Sequence, residues 1–328
     1  MNEWLLVGAG LVLLVGGGES LVRGSVTLAT RLGISPLVIG LTLVGFGTSA
    51  PELATSLEAA LKGSPDIAVG NVVGSNIANI LLILGIAALL QPMACPRSAI
   101  LRDGAVAGAA ALLAVGVALY GGMPRAVGVA FIVLLLIYLG ATYRAERNAT
   151  TPGADLHRKE GEMVAPLAGP VWLPLLLSLA GLIGIVLGAS LLVDGAIIVA
   201  RDAGISETVI GLTLVAVGTS LPELAVTIVA AIRRQLDVAL GNILGSNIFN
   251  ILGILGVTAV VQPLGIPEQV VRFDIWAMLL ATGAMLLFAM TRKRIDRWEG
   301  GVLLAGYALY LWAQFDPRAG AAMGFAAG

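Results

Sequence analysis

Apolar stretches of about 20 residues recur along the whole chain, and a helix of that length crosses the roughly 30 Å hydrocarbon core of a bilayer. Charged residues make up only 12% of the 328 positions, and the mean hydropathy is +0.97, whereas a soluble domain carries about 25% charged residues. The alternating segments typical of outer-membrane strands are missing. The sequence therefore predicts an all-α integral membrane protein.

The chain also contains an internal duplication. Residues 16–92 align without a gap with residues 187–263 at a constant offset of 171, and roughly 41 of the 77 aligned positions are identical. The polar residues repeat as faithfully as the apolar ones, which shared hydrophobicity alone would not produce. The duplication predicts two related halves, an arrangement typical of transporters.

Ten membrane-spanning helices are predicted, five in each half. They cover residues 4–29, 36–61, 67–91, 100–120, 125–143, 170–199, 207–231, 238–261, 272–290 and 298–315. Because five is odd, the second half enters the membrane from the opposite side, and the halves become inverted repeats. We therefore divide the chain into a first repeat (1–143), a polar linker (144–169) that holds the single, solvated His157, and a second repeat (170–328).

The orientation follows from the positive residues, which are retained on the cytoplasmic side. With the N-terminus outside, the inner loops hold 13 Lys and Arg residues and the outer loops hold 5. Both termini are then extracytoplasmic, and the linker is cytoplasmic. The stretch from Trp4 lacks a clear small-residue cleavage site, so we interpret it as the first span of an inner-membrane protein rather than a signal peptide.

The sequence gives no indication of a soluble partner. The only cysteine, Cys95, has no partner for an internal disulfide, and a net charge of −1 is no signature of nucleic-acid binding. No protein partner and no cofactor are implied, and the only surroundings predicted are the lipid bilayer and the ions described below.

Two glutamates, Glu52 and Glu223, lie inside predicted spans at corresponding positions of the two repeats. A carboxylate in a span costs about 2.5 to 3.5 kcal/mol on insertion scales and marks an ion pathway by default. Each follows a Gly-Thr-Ser-x-Pro sequence, and the proline leaves the carbonyl of Gly47 or Gly218 without its helical partner. We expect both helices to break there and to expose carbonyl ligands.

The next span of each repeat adds polar side chains at spacings of four residues, which place them on one helical face. These residues are Asn71, Ser75 and Asn79 in the first repeat and Asn242, Ser246 and Asn250 in the second. Together with the Gly-Thr-Ser-x-Pro-Glu segments they form an all-oxygen donor set, which suits hard cations such as Ca²⁺ rather than zinc or copper. Hydrogen bonding between helices is the simpler alternative for the stripes.

These residues carry a resemblance to the sodium/calcium exchanger family, part of the cation/Ca²⁺ exchanger superfamily, over nearly the whole chain. The pattern is Gly47-Thr48-Ser49-x-Pro51-Glu52 with Gly70-Asn71-x-x-Gly74-Ser75-Asn76-x-x-Asn79, and Gly218-Thr219-Ser220-x-Pro222-Glu223 with Gly241-Asn242-x-x-Gly245-Ser246-Asn247-x-x-Asn250. Both copies look like the alpha-repeats of that family. The resemblance implies a secondary active antiporter, not an enzyme, that exchanges Ca²⁺ for Na⁺ by alternating access.

The resemblance also implies ion ligands. It places a central Ca²⁺ between Glu52 and Glu223, assisted by Thr48 and Thr219. It places Na⁺ around these residues and around the hydroxyl, amide and carbonyl oxygens of Ser49, Ser220, Ser75, Ser246, Asn79, Asn250 and Ala216.

The fixed charge of the predicted site bears on how many ions exchange. Several members of the family that the chain resembles carry Asp where this chain has Asn250. Because Asn is neutral, the fixed charge of the predicted site comes from Glu52 and Glu223 alone and is −2. One Ca²⁺ or two Na⁺ would neutralise that charge. Because Asn is a steric substitute for a protonated Asp, we expect the exchange of three Na⁺ for one Ca²⁺.

The same residues bear on three alternative functions. Exchange of Ca²⁺ for H⁺ stays open, because two nearby carboxylates can bind protons. A cation channel would need a continuous pore, usually lined by rings of ligands from symmetric subunits. An intramembrane hydrolase would need a nucleophile and a base, and the predicted spans hold no Ser-His arrangement.

Other charged residues near the spans have structural interpretations. Asp66 and Asp237 precede predicted spans, where we expect helix N-caps. Glu19 and Arg23 lie on the first span, and Asp194 corresponds to Arg23 in the second repeat, so an ion pair between the repeats is one interpretation.

Overall fold

A computed structural model describes residues 3–147, 170, 172–202 and 216–315. In this part of the chain seven helices are long and apolar enough to cross a membrane, or eight if the pair Pro36–Thr48 and Ala50–Leu61 forms one span. The protein is a multi-pass, helical membrane protein. Residues 148–169 of the predicted linker, including His157, and residues 207–215 of the predicted span 207–231 lie outside the described residues.

Twelve helices run through the described residues. They are α1 (Glu3–Leu32), α2 (Pro36–Thr48), α3 (Ala50–Leu61), α4 (Pro65–Leu90), α5 (Arg97–Tyr120), α6 (Arg125–Arg147), α7 (Trp172–Asp202), α8 (Ala216–Thr219), α9 (Leu221–Ile232), α10 (Leu236–Val261), α11 (Val270–Arg292) and α12 (Arg297–Phe315). The α12 helix is not among the seven candidate spans.

Two-residue strands interrupt the helical pattern at four loops. They are β1 (Met93–Ala94), β2 (Gly122–Met123), β3 (Leu264–Gly265) and β4 (Arg294–Ile295). The β1 strand pairs antiparallel with β4, and β2 pairs antiparallel with β3.

The observed helix ends differ from the expected ones in two places. The α6 helix continues to Arg147, so the start of the predicted linker is helical. Asp66 and Asp237 are not N-caps, because each is the second residue of its helix. A carboxylate in the first turn still interacts favourably with the partial positive charge of the helix N-terminus.

The chain divides into two compact units. Unit one comprises Met1–Pro51 and Ala141–Gly245, and unit two comprises Glu52–Gly140 and Ser246–Gly328.

Unit one is built around the close approach of α1 and α7. Glycines recur every seventh residue on both helices, at Gly10, Gly17 and Gly24 and at Gly181, Gly188 and Gly195. A Cβ atom at Gly17 would lie 2.8 Å from the carbonyl oxygen of Gly181, and one at Gly188 would lie 2.9 Å from that of Gly10. Small residues allow such backbone contact between membrane helices.

The charged residues singled out on α1 and α7 do not pair with one another in the described part of the chain. Glu19 pairs instead with Arg233, which lies just after α9, at 2.7 Å near the surface of unit one. Arg23 and Asp194 are exposed, and the structure shows no ion pair for either within the ranges that it describes. The ion pair between the repeats therefore forms through Glu19 and Arg233 rather than between Arg23 and Asp194.

Unit two uses the same kind of packing and adds a buried ion pair. The α4 and α12 helices meet at Gly85 and Gly300, where a Cβ at Gly300 would lie 2.8 Å from the carbonyl oxygen of Gly85. On α5, the fully buried carboxylate of Asp103 accepts two hydrogen bonds from Arg102, at 2.8 and 2.9 Å, and one from Tyr138 at 3.0 Å. This pairing neutralises a charge inside a span.

Candidate ion-binding site

Both Gly-Thr-Ser-x-Pro-Glu segments interrupt their helices. Ser49 separates α2 from α3 with φ −81° and ψ 8°, and Ser220 separates α8 from α9 with φ −88° and ψ 4°. The breaks lie two residues after Gly47 and Gly218. Proline lacks an N–H group but fits the first turn of a helix. Pro51 accordingly lies in the first turn of α3, directly before Glu52.

The break of the first repeat contacts the glutamate of the second. Ser49 Oγ donates a hydrogen bond of 2.8 Å to Glu223 Oε1, and both side chains are buried within unit one. Next to it, Thr48 Oγ1 donates to Asn242 Oδ1 at 3.1 Å. These two hydrogen bonds join residues that are 174 and 194 positions apart in the sequence. Each bonded pair contains one residue from each repeat.

Both glutamates lie deep in the protein. Glu52 and Glu223 are each 1% exposed. A buried carboxylate needs a compensating positive charge or strong hydrogen bonds, and a bound cation would supply that charge. Because Glu52 belongs to unit two, a Ca²⁺ ion shared by the two glutamates stays a prediction.

An asparagine of the following helix holds the backbone of each glutamate. Asn71 Nδ2 donates to the carbonyl oxygen of Glu52 at 3.2 Å and to Ser56 Oγ at 2.9 Å. Asn242 Nδ2 donates to the carbonyl oxygen of Glu223 at 3.3 Å and to Thr227 Oγ1 at 2.9 Å. The same two contacts thus appear in both repeats.

Two further asparagines are buried with unused amide groups. Asn79 and Asn250 are 1% and 0% exposed, and within the described ranges neither the nitrogen nor the oxygen of either amide has a hydrogen-bond partner. Each lies in a π-helical segment, Asn79–Leu84 or Phe249–Leu255, and such wider turns are frequent at functional sites. An unsatisfied buried polar group costs about 1–3 kcal/mol, so these amides are suited to an ion.

The remaining predicted ligands divide between the units. Ser75 and Ser246 are buried in unit two. In unit one, Ser220 is buried, Thr219 is half-buried and Ala216 is the first described residue of α8. No group of three or more His, Cys, Asp or Glu residues in the described part of the chain is arranged to hold a metal. A bound cation would thus rely on carboxylates together with neutral oxygens.

Sequence reasoning missed Ser56 and Thr227. Both carry a hydroxyl four residues after a site glutamate, at corresponding positions of the repeats. That shared hydroxyl was the available signal. Asn71 and Asn242 were recognised only as part of the polar stripes, and the structure shows how they contact the glutamates.

The family described as sodium/calcium exchanger protein matches residues 2–144 and 173–315. The chain belongs to this family. It is 36% identical over 352 residues to the sodium/calcium exchanger MaX1 of Methanosarcina acetivorans, covering 95% of this chain and 98% of that protein. It is also 36% identical over 297 residues to the inner membrane protein YrbG of Escherichia coli, covering 90% and 91%.

A solved structure has the same fold. The sodium-calcium exchanger NCX_Mj, soaked with 10 mM Na⁺ and zero Ca²⁺, superimposes with a TM-score of 0.81 at 34% sequence identity, covering 96% of this chain and 99% of that one. The family predicted from the two repeated segments is thereby confirmed.

Proposed function

We propose that this member of the exchanger family is a secondary active antiporter that exchanges Ca²⁺ for Na⁺ by alternating access. The observation that carries the proposal is the buried 2.8 Å hydrogen bond from Ser49 to Glu223, which joins the duplicated segments at a carboxylate inside the protein. Relatives of similar length are named as sodium/calcium exchangers. Membership of the family supports transport rather than enzymatic catalysis.

The ion ligands we propose are those implied by the family resemblance. Glu52 and Glu223 bind Ca²⁺ with help from the hydroxyls of Thr48 and Thr219. Na⁺ binds the side-chain oxygens of Ser49, Ser220, Ser75, Ser246, Asn79 and Asn250 and the carbonyl oxygen of Ala216. The unpartnered amides of Asn79 and Asn250 support this assignment, because an amide oxygen is a suitable ligand for a hard cation.

The architecture we propose has ten spans in two inverted repeats, 1–143 and 170–328, joined by a cytoplasmic linker at 144–169. Both termini then face away from the cytoplasm, and the protein lies in the inner membrane. The seven candidate spans, the bent pair around Ser49, the shorter apolar helix α9 and the 19-residue α12 account for ten segments, which supports this count.

We further propose a ratio of three Na⁺ to one Ca²⁺. With Asn at positions 79 and 250, the fixed charge of the proposed ligands comes from two glutamates. Three Na⁺ carry a total charge of +3, whereas one Ca²⁺ carries +2. Each exchange cycle therefore moves one net positive charge across the membrane.

The function can be tested with the purified full-length chain in proteoliposomes that contain Na⁺. Dilution into Na⁺-free buffer should drive uptake of radioactive Ca²⁺, and a pH gradient alone should not. Uptake driven by the pH gradient without Na⁺ would show Ca²⁺/H⁺ exchange instead. Ca²⁺ flux that follows its own gradient, with no dependence on a counter-ion, would show a channel.

A further inference from the structure

The two asparagine contacts form a repeated device next to the proposed ion ligands. We call the set of Asn71, Ser56 and the Glu52 carbonyl the first clamp, which lies within unit two. The set of Asn242, Thr227 and the Glu223 carbonyl is the second clamp, which lies within unit one.

Each clamp uses the full donor capacity of its amide. An asparagine NH₂ group carries two hydrogens, and the Nδ2 atom has two acceptors in both clamps, a carbonyl and a hydroxyl one turn further along the same helix. Two hydrogen bonds to different points of one helical face fix the rotation of that helix about its axis. With a single hydrogen bond the helix could still pivot about the bonded atom. Ser56, Asn242 and Thr227 are buried, so water does not readily replace these bonds.

This rotation matters because the helix carries the ion-binding carboxylate. A side-chain tip lies about 5 Å from the axis of its helix, so a rotation of about 10° moves it by about 0.9 Å. Ca²⁺ binds oxygens at about 2.3–2.6 Å, and a displacement of that size takes a ligand out of coordination distance.

We infer that Ser56 and Thr227, through Asn71 and Asn242, are positioning residues that aim the carboxylates of Glu52 and Glu223 at the transported ion. The inference rests on the proposed function, in which those carboxylates bind Ca²⁺. In the second clamp the amide also accepts a hydrogen bond from Thr48, another proposed Ca²⁺ ligand. The clamp thus connects two ligands that come from different repeats.

The duplication supplies conservative variants for the test. One clamp uses Ser and the other Thr, so T227S and S56T keep the hydroxyl, whereas T227V and S56A remove it. T282V is a matched control, because Thr282 is also buried but donates only to the carbonyl of Met278 in its own helix.

The experiment measures equilibrium binding of radioactive Ca²⁺ and Na⁺-driven Ca²⁺ uptake with full-length protein. We expect T227V and S56A to raise the half-saturating Ca²⁺ concentration about tenfold, the equivalent of about 1.4 kcal/mol, while the maximal uptake rate per folded protein changes less than about twofold. T227S, S56T and T282V should remain within about twofold of the wild type.

Unchanged Ca²⁺ affinity in folded T227V and S56A would overturn the inference. An equal loss of Ca²⁺ affinity in T282V would also overturn it. Removing any buried hydroxyl would then weaken Ca²⁺ binding, whether or not it belongs to a clamp. If T227V does not fold, S56A decides the question, because it removes one oxygen atom only. A wild-type protein that neither binds nor exchanges Ca²⁺ would refute the proposed function itself, an outcome distinct from a failure of the clamps.

Discussion

Replacing Gly17 with alanine should destabilise unit one by forcing α1 and α7 apart. The added Cβ would lie 2.8 Å from both the carbonyl oxygen of Gly181 and the backbone nitrogen of Ile185. Ordinary van der Waals contact begins at 3.4 Å, so the two backbones must separate by about 0.6 Å. Overpacking of this kind costs about 1–3 kcal/mol.

The neighbouring Gly16 provides the control, because an added Cβ there meets nothing within 4 Å. Alanine favours a helix over glycine by about 0.8–1 kcal/mol at either position, so the difference between the two variants isolates the helix contact. Cys95 is the only cysteine and is buried, so a thiol-reactive fluorophore reports thermal unfolding in detergent. G17A should unfold at a lower temperature than G16A. An equal or higher midpoint for G17A would refute the close contact of α1 with α7.

Three further predictions follow from charge. Replacing Arg102 with Gln leaves the buried carboxylate of Asp103 without its cation and should destabilise the protein by about 3–5 kcal/mol, whereas R272Q, which breaks an exposed pair with Glu268, should change the unfolding midpoint little. In proteoliposomes whose membrane potential is clamped with K⁺ and an ionophore, an inside-positive potential should accelerate Na⁺-driven Ca²⁺ uptake. The reason is that moving one net charge across the membrane is worth about 2.3 kcal/mol per 100 mV. A reversal condition independent of voltage would favour two Na⁺ per Ca²⁺. A cysteine at Ala154 in a Cys95→Ser background should be labelled only from the cytoplasm, and labelling from outside intact cells would reverse the orientation.

Features with local causes could be predicted from the sequence. Apolar length located the helices, because crossing a bilayer needs about 20 apolar residues. Proline located the interruptions near Ser49 and Ser220, because a missing N–H acts within one turn of helix. The duplication indicated that Glu52 and Glu223 act as a pair, since each occurs at the same position of the repeated segment.

Features that depend on how helices face one another could not be predicted in the same way. The contact of Ser56 with Asn71 requires the rotation of α3 and α4 about their axes, which spacing within one helix does not determine. The bond from Ser49 to Glu223 joins residues 174 positions apart. The ion pair between Glu19 and Arg233 could not be predicted either, because it depends on tertiary packing rather than on the correspondence of the repeats.

The most direct test of the account is Na⁺-driven Ca²⁺ uptake by the variants E52Q and E223Q in proteoliposomes. Each removes one of the two glutamate charges of the proposed ion site, and hydrogen bonds to charged groups contribute about 1.5–3 kcal/mol. Uptake should therefore fall about tenfold to a hundredfold while the protein still inserts. E58Q is the control, because Glu58 lies on α3 with its side chain 65% exposed and paired with Lys62. The account predicts loss of uptake in E52Q and E223Q and normal uptake in E58Q. Near-normal uptake by either E52Q or E223Q would contradict it.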